Sequence, residues 1–204
     1  MDLYKHTKRL IDIVVSMILI ILLFPIFIII SIIVKLSSKG PIFFAHRRIG
    51  KNGKEFNLYK FRTMVPNAQE LINNFSIEQM KEYKNQYKLK NDPRVTKVGK
   101  ILRKTSLDEL PQLINVIKGN LSLVGPRPII REELEKYKKN KEKFLSVTPG
   151  LTGLWVAYTT PETTYDERMK MELYYANNIS FKLDVKILFK TIIRVIGRII
   201  GIGD

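Results

Sequence analysis

Between Ile13 and Val34 the chain runs for 22 residues without a charge, interrupted only by Ser16, Pro25 and Ser31. As a single helix at about 1.5 Å per residue this run reaches ~33 Å, enough for a hydrocarbon core of ~30 Å. It is too long for the apolar part of a secretory signal, and no A-x-A-like cleavage site follows it. A membrane element is therefore expected. Lys5, Lys8 and Arg9 precede it, while Lys35, Lys39, Arg47 and Arg48 follow. Cations at both ends would place both ends in the cytoplasm. Pro25 removes a helix hydrogen bond at the middle and can bend the segment, although spanning helices also tolerate proline. A bent helix that enters and leaves by one face fits these flanks better than a straight span. Asp12 is expected to be an interfacial partner for Lys8 or Arg9, with no catalytic role.

A length of 204 residues suits one compact domain with an appended membrane element. Lysine and arginine total 35 against 19 acidic residues, a net charge of +16. Such an excess calls for an anionic partner: nucleic acid, an acidic membrane surface or phosphorylated substrates. Cysteine is absent, which excludes a disulfide framework and permits a cytoplasmic location.

After the apolar run, turn residues Ser38 to Pro41 lead into PIFFAHRRIG, a Lys51-Asn-Gly-Lys54 turn and EFNLYKFRTM. Alternation around Asn-Gly predicts a β-hairpin presenting Arg48, Lys60 and Arg62; a solvated basic strand face is the plainer reading of those three. His46 is expected to make a polar contact. Residues 66–90 read as helical, ending in the basic, tyrosine-bearing KEYKNQYKLK, which suits anionic headgroups or solvent better than nucleic acid, for which no module is present. Residues 131–144 read as one charged, solvated helix with Glu133–Tyr137 and Glu135–Lys139 as surface pairs. A turn at Thr148 to Gly153 is followed by LWVAY, read as a short strand. Another helix carries YDER and Tyr175, the tyrosine packing in the core. Residues 180–200 place Lys182, Lys186, Lys190, Arg194 and Arg198 at four-residue spacing with Val185, Leu188, Ile192, Val195, Ile196 and Ile199 opposite. That is an amphipathic basic helix, suited to a membrane interface or to capping the domain.

The chemistry concentrates in Asp92 to Pro128. Asp108 and Glu109 lie between a basic run (Arg94, Lys97, Lys100, Arg103, Lys104) and Arg127, which is held between Pro126 and Pro128. Cations can hold phosphate oxygens, and a carboxylate among them can bind a divalent metal or attack phosphorus. Ser106 to Glu109 also fits a capping box opening a helix through Leu113 and Val116, with Pro111 in its first turn. The two readings are compatible, because a helix start also favours phosphate.

KFRTM (Lys60 to Met64), DPRVTKVGKILRKTSLDELPQL (Asp92 to Leu113), LSLVGPRP (Leu121 to Pro128) and PGLTGL (Pro149 to Leu154) resemble, in order, the bacterial sugar transferases that act as monotopic polyprenol-phosphate phosphoglycosyl transferases. The resemblance runs from about Lys8 to about Ile193. With only a short basic segment ahead of the apolar run, the chain is expected to be one of the family's small members. The resemblance implies an α+β, mostly helical monotopic membrane protein with an N-terminal re-entrant helix hinged near Pro25, a small β-hairpin and amphipathic interfacial helices. Residues 1–36 would be the re-entrant helix and residues 37–204 a catalytic domain on the cytoplasmic face of the inner membrane. It implies transfer of a sugar 1-phosphate from a UDP-sugar to polyprenyl phosphate, giving a polyprenyl-diphosphate sugar and UMP. Asp108 would be the nucleophile, Glu109 and Asp108 would hold Mg²⁺, and Arg103, Arg127, Lys60, Arg62 and Arg48 would bind phosphate or substrate. Val156, Thr159 and Thr160 replace residues common in relatives, so the donor stays open between a hexose and an N-acetylated or dideoxy amino sugar. Charge and amphipathicity alone would also suit a non-catalytic basic peripheral membrane protein.

Overall fold

The computed structural model describes residues 2–86, 89–160 and 162–201. In chain order the elements are α1 (Asp2–Ser37), β1 (Phe43–Ile49), β2 (Glu55–Phe61), α2 (Ile77–Gln86), α3 (Lys97–Thr105), α4 (Gln112–Ile117), β3 (Ser122–Val124), α5 (Arg131–Leu134), α6 (Lys141–Leu145), β4 (Gly150–Thr152), α7 (Leu154–Tyr158), α8 (Tyr165–Asn177) and α9 (Phe181–Ile200). The mostly helical α+β class expected from sequence is what forms.

The apolar run is one helix, α1, which continues through Pro25. Asp12, Ser16, Ile30 and Val34 are buried along it, and Leu19, Ile20 and Phe27 pack inward between them. On either side of a gap from Ile20 to Phe27 these positions fall about one helical turn apart, so one stripe of each half of α1 lies against the body. The remaining circumference is apolar and exposed, including Ile21, Leu22, Phe24, Ile29 and Leu36. A helix of a soluble domain would carry polar residues there.

Both ends of α1 are tied down by polar contacts. Near its start, Lys8 pairs with Asp184 at 2.6 Å, and Arg9 donates to the carbonyls of Val116 and Ile117. Asp12 accepts from the backbone N–H of Leu123 and lies 3.9 Å from Lys8, the pairing expected of it. At the other end Arg62 donates to the carbonyls of Val34, Ser38 and Lys39, satisfying groups that a helix end leaves without partners. Gly40, at φ +120°, makes room for this: a Cβ there would fall 2.2 Å from Arg62 Nη1. Arg62, expected to bind substrate, is engaged here with the end of α1.

β1 and β2 form the expected antiparallel hairpin, in register Phe43↔Phe61 to Ile49↔Glu55, and Asn52 takes the left-handed conformation in the turn. β3 and β4 pair in parallel, Ser122 opposite Gly150 and Val124 opposite Thr152. The backbones approach so closely there that a Cβ on Gly150 would lie 2.1 Å from Gly125 N. The main core joins Leu58, Leu113, Val116, Leu121, Val124, Tyr175 and Ile187.

Other expectations are corrected. LWVAY is helix α7, and the strand is the preceding Gly150–Thr152. Residues 131–144 do not form one solvated helix; they break into α5, a 3-10 stretch with Lys138 at φ 45°, and α6. Their inward face buries Glu133, Tyr137 and Phe144. Residues 66–90 hold a 3-10 turn and α2 instead of continuous helix; Tyr87 and Lys88 of the basic patch lie outside the described residues. Ser106 caps nothing with its side chain but ends α3 in the left-handed conformation. The cap that forms is Thr96, whose Oγ1 accepts from Gly99 N at 2.9 Å. Thr96→Ala is expected to lower stability by about 1 kcal/mol, read as a shifted urea midpoint with unchanged slope.

On α9 the apolar face divides. Asp184 and Ile187 face the body, while Phe181, Val185, Phe189, Ile192, Ile196 and Ile199 stay exposed. α9 adjoins α1 through the Tyr4–Phe181 ring contact and the Lys8–Asp184 pair.

Candidate active site

The left-handed Ser106 stops α3 and turns the chain through a single 3-10 turn, Leu107–Glu109, before α4 begins. That turn carries both carboxylates. Asp108 is buried, at 6% exposure, and Glu109 is half-buried. Burial pushes the Asp108 carboxyl up to about 6; Glu109 adds to the rise, and Lys60 and Arg103 oppose it. At neutral pH Asp108 is therefore an ionised carboxylate stripped of most of its water, in the field of two cations. A poorly solvated anion is a stronger nucleophile than a hydrated one.

Lys60, on β2, pairs with Glu109 Oε1. Their side chains are 27% and 37% exposed, so the pair contributes ~1 kcal/mol or less to folding. A contact this weak can open to let Lys60 meet an arriving phosphate. Arg103, in the last turn of α3, donates from Nε to Thr63 Oγ1 at 2.9 Å. Arg94 of the same basic run is buried in a two-pronged bond to Asp92 and belongs to the scaffold.

Arg48 and Arg127 form a second cationic group. Arg48, on β1, donates to Pro128 O at 3.3 Å and to His46 Nδ1 at 3.1 Å. Burial, then the Arg127 charge, lowers the Arg48 guanidinium to about 10, so it stays cationic. His46 makes the polar contact expected of it; burial and then Arg48 push it down to about 4, leaving a neutral ring that can accept. Arg127, between β3 and α5, lies 4.6 Å above the Trp155 ring, a contact that fixes the plane of a guanidinium. Of the expected site residues, then, Asp108, Glu109, Lys60 and Arg103 share one electrostatic neighbourhood. Arg48 and Arg127 share the next, linked to the first because Arg48 also feels Glu109. Arg62 is elsewhere, and Pro25 is in α1.

Among the described residues no group of three or more His, Cys, Asp or Glu side chains could enclose a metal. Mg²⁺ needs no such cage: one or two carboxylates with substrate phosphate oxygens suffice, and the adjacent Asp108 and Glu109 fit that donor set.

Sequence reasoning overlooked Glu133, Tyr137, Arg168 and Glu172, which meet behind Arg127. Arg168 donates to Glu133 Oε2 at 2.9 Å, and the Tyr137 hydroxyl donates to Glu172 Oε2 at 2.7 Å. A signal was present: Met169, Glu172, Leu173 and Ala176 share one helical face, and an acid on an apolar stripe has to be paired. The unusual positions lie nearby. Thr159 bonds the Trp155 carbonyl, Val156 O accepts from Arg194, and Thr160 N donates to Thr163.

The family model described as bacterial sugar transferase matches residues 3–198. The chain is 43% identical over 189 residues to the exopolysaccharide production protein ExoY of Sinorhizobium fredii, covering 91% of this chain and 84% of that one. It is 44% identical over 190 residues to the undecaprenyl-phosphate galactose phosphotransferase of Salmonella typhimurium, covering 92% of this chain and 40% of that protein. With the UDP-N-acetylgalactosamine-undecaprenyl-phosphate N-acetylgalactosaminephosphotransferase of Aeromonas hydrophila the identity is 37% over 197 residues, 93% of this chain and 44% of the relative. The chain thus spans less than half of the two longer relatives and most of ExoY.

Proposed function

Because the chain belongs to the bacterial sugar transferase family, we propose that it transfers a sugar 1-phosphate from a UDP-sugar to polyprenyl phosphate, an early step in building a membrane-linked glycan. The observation that carries this reading is the buried Asp108, its carboxyl in the field of Lys60 and Arg103. An Asp108 oxygen attacks the phosphorus next to the sugar; the new O–P bond forms as the bond to UMP breaks. A phosphate oxygen of the lipid then attacks the same phosphorus and returns Asp108 as a carboxylate. Two displacements let one site serve a soluble donor and a membrane acceptor in turn. Lys60 and Arg103, with Arg48 and Arg127, hold non-bridging oxygens. Mg²⁺ held by Glu109 and Asp108 would neutralise diphosphate charge and improve UMP as a leaving group.

The fold supports a one-sided membrane seat. A crossing helix separates its ends by ~30 Å of hydrocarbon, whereas Lys8, Arg9 and Asp12 at one end and the carbonyls beside Val34 at the other all engage the same body. In this reading α1 enters and leaves by one face, the cytoplasmic face of the inner membrane, where UDP-sugars are found. Exposed apolar residues of α1 and α9, with the lysines of α9 beside them, would rest in the headgroup layer. Replacing Lys182, Lys186 and Lys190 together by glutamate is expected to lower binding to anionic vesicles at least about tenfold, at ~1 kcal/mol per cation, with little effect on neutral ones; flotation measures it.

The test is donor labelled in the phosphate next to the sugar. Without lipid, label is expected on Asp108 with equimolar UMP release; added polyprenyl phosphate discharges it. Product formed without label ever passing through Asp108 overturns the reading. A hexose donor is proposed, on the galactose named for the Salmonella relative. The N-acetylgalactosamine named for the Aeromonas relative favours the amino-sugar alternative, and a panel of UDP-sugars scored by UMP release decides between them.

A further inference from the structure

Beside Arg48 and Arg127 lies a polar cluster that neither displacement uses. Glu172 on α8 is 1% exposed. Its Oε2 accepts from Tyr137; its Oε1 is buried without a hydrogen-bond partner, 3.8 Å from Arg168 Nε. Glu133, also buried, holds Arg168 and Tyr165 and lies 3.6 Å from Arg48 Nη1. Arg48, Arg127 and Arg168 each carry a buried Nε with no partner. Their charges are mutually felt: Arg127 and Arg168 act on Arg48, and Arg168 and Arg127 act on Glu172.

Three guanidiniums this close repel one another, and two buried carboxylates are what balances them. A carboxylate with one oxygen unsatisfied is costly to bury, and Glu172 could serve the core better as leucine. Its use is the charge. We infer that Glu172, assisted by Glu133, is a positioning residue for the donor: its carboxylate is the fixed counter-charge that keeps Arg168 in place and, through the chain Arg168–Glu133–Arg48, holds Arg48 where it meets the diphosphate already aligned, with Arg127 beside it. This rests on the phosphate-gripping role given to Arg127 and Arg48 under the proposed function. Tyr137, Arg168, Arg127 and Glu133 are the titratable or charged groups that face Glu172. Burial holds its carboxyl at about 7. Below that pH a proton removes the counter-charge, and donor binding should weaken. A UDP-sugar diphosphate has no proton of its own to lose in that range.

The experiment compares wild type, Glu172→Gln and Tyr137→Phe in lipid nanodiscs, reading UMP release from about pH 6 to about pH 8. In wild type, donor KM is expected to climb as pH falls through about 7. Glu172→Gln should raise donor KM roughly ten- to a hundredfold, leave kcat and the lipid KM nearly unchanged, and flatten the pH dependence of donor KM. Tyr137→Phe removes a bond to the charged form but leaves the charge. It should move the wild-type curve to higher pH with little change in KM above it. An active Glu172→Gln enzyme with wild-type donor KM and pH profile overturns the inference alone. Should Glu172→Gln fail to fold, judged by circular dichroism, an unshifted Tyr137→Phe curve overturns it instead. A wild-type enzyme that releases no UMP from any UDP-sugar overturns the proposed function and this inference together.

Discussion

Asp108→Asn is expected to stop UMP release, by a factor on the order of 10⁴ to 10⁶, in a protein that folds and melts higher than wild type. The first effect follows from the proposed role: an amide oxygen of the same size is a poor nucleophile, and Glu109, the other carboxylate of the turn, is paired with Lys60. The second follows from burial. The folded-state pKa of Asp108, about 6, lies above its ordinary value of 3.8. The folded protein therefore holds that proton more tightly than the unfolded chain does. Its stabilising effect is complete below about pH 4 and is lost as pH rises through about 6. At pH 7 the ionised carboxylate costs about 3 kcal/mol of stability, and asparagine removes that cost. A thermal melt in chelator, with no divalent cation present, reads it directly. A variant that is both inactive and less stable would mean that Asp108 serves the fold.

Arg62→Ala is expected to lower stability by roughly 3 kcal/mol, or about 6–12 °C in melting temperature for a chain of this size. Three carbonyls at the end of α1 lose their donor, two of them at 2.8 and 3.1 Å from Arg62 Nη2. Arg62→Lys should recover only part of the loss, because one ammonium cannot reach all three as a guanidinium fork does. Donor KM measured below the melt should stay at the wild-type value. A raised KM with an unchanged melt would restore Arg62 to the substrate site, where its place beside Lys60 in KFRTM suggested it belonged.

The place of Arg62 marks a boundary in what can be read from a sequence. Lys60 and Arg62 lie two apart on one strand, and the strand period puts them on the same face. What separates them is that β2 ends at Phe61, beyond which Arg62 N bonds Ile42 O and the side chain turns to the end of α1. Local pattern holds no information about that partner, some 24 residues away.

Patterning sufficed wherever the determinant was local. The uncharged run fixed α1, the Asn-Gly turn between alternating strands fixed the hairpin, and the spacing of cations fixed the basic side of α9. The carboxylate pair between cations marked the candidate site, and four ordered motifs identified the family. Tertiary structure decided which cations are available and which are committed elsewhere: Arg94 to Asp92, Arg62 to α1, Lys60 to Glu109 through a contact weak enough to open. It also turned the acids of residues 131–144 inward, because Glu133 and Tyr137 find Arg168 and Glu172 only once α8 packs against them. The physical reason is that the charge state and freedom of an ionisable group depend on burial and on neighbours distant in the chain, whereas helix, strand and turn follow from steric and hydrophobic periods a few residues long.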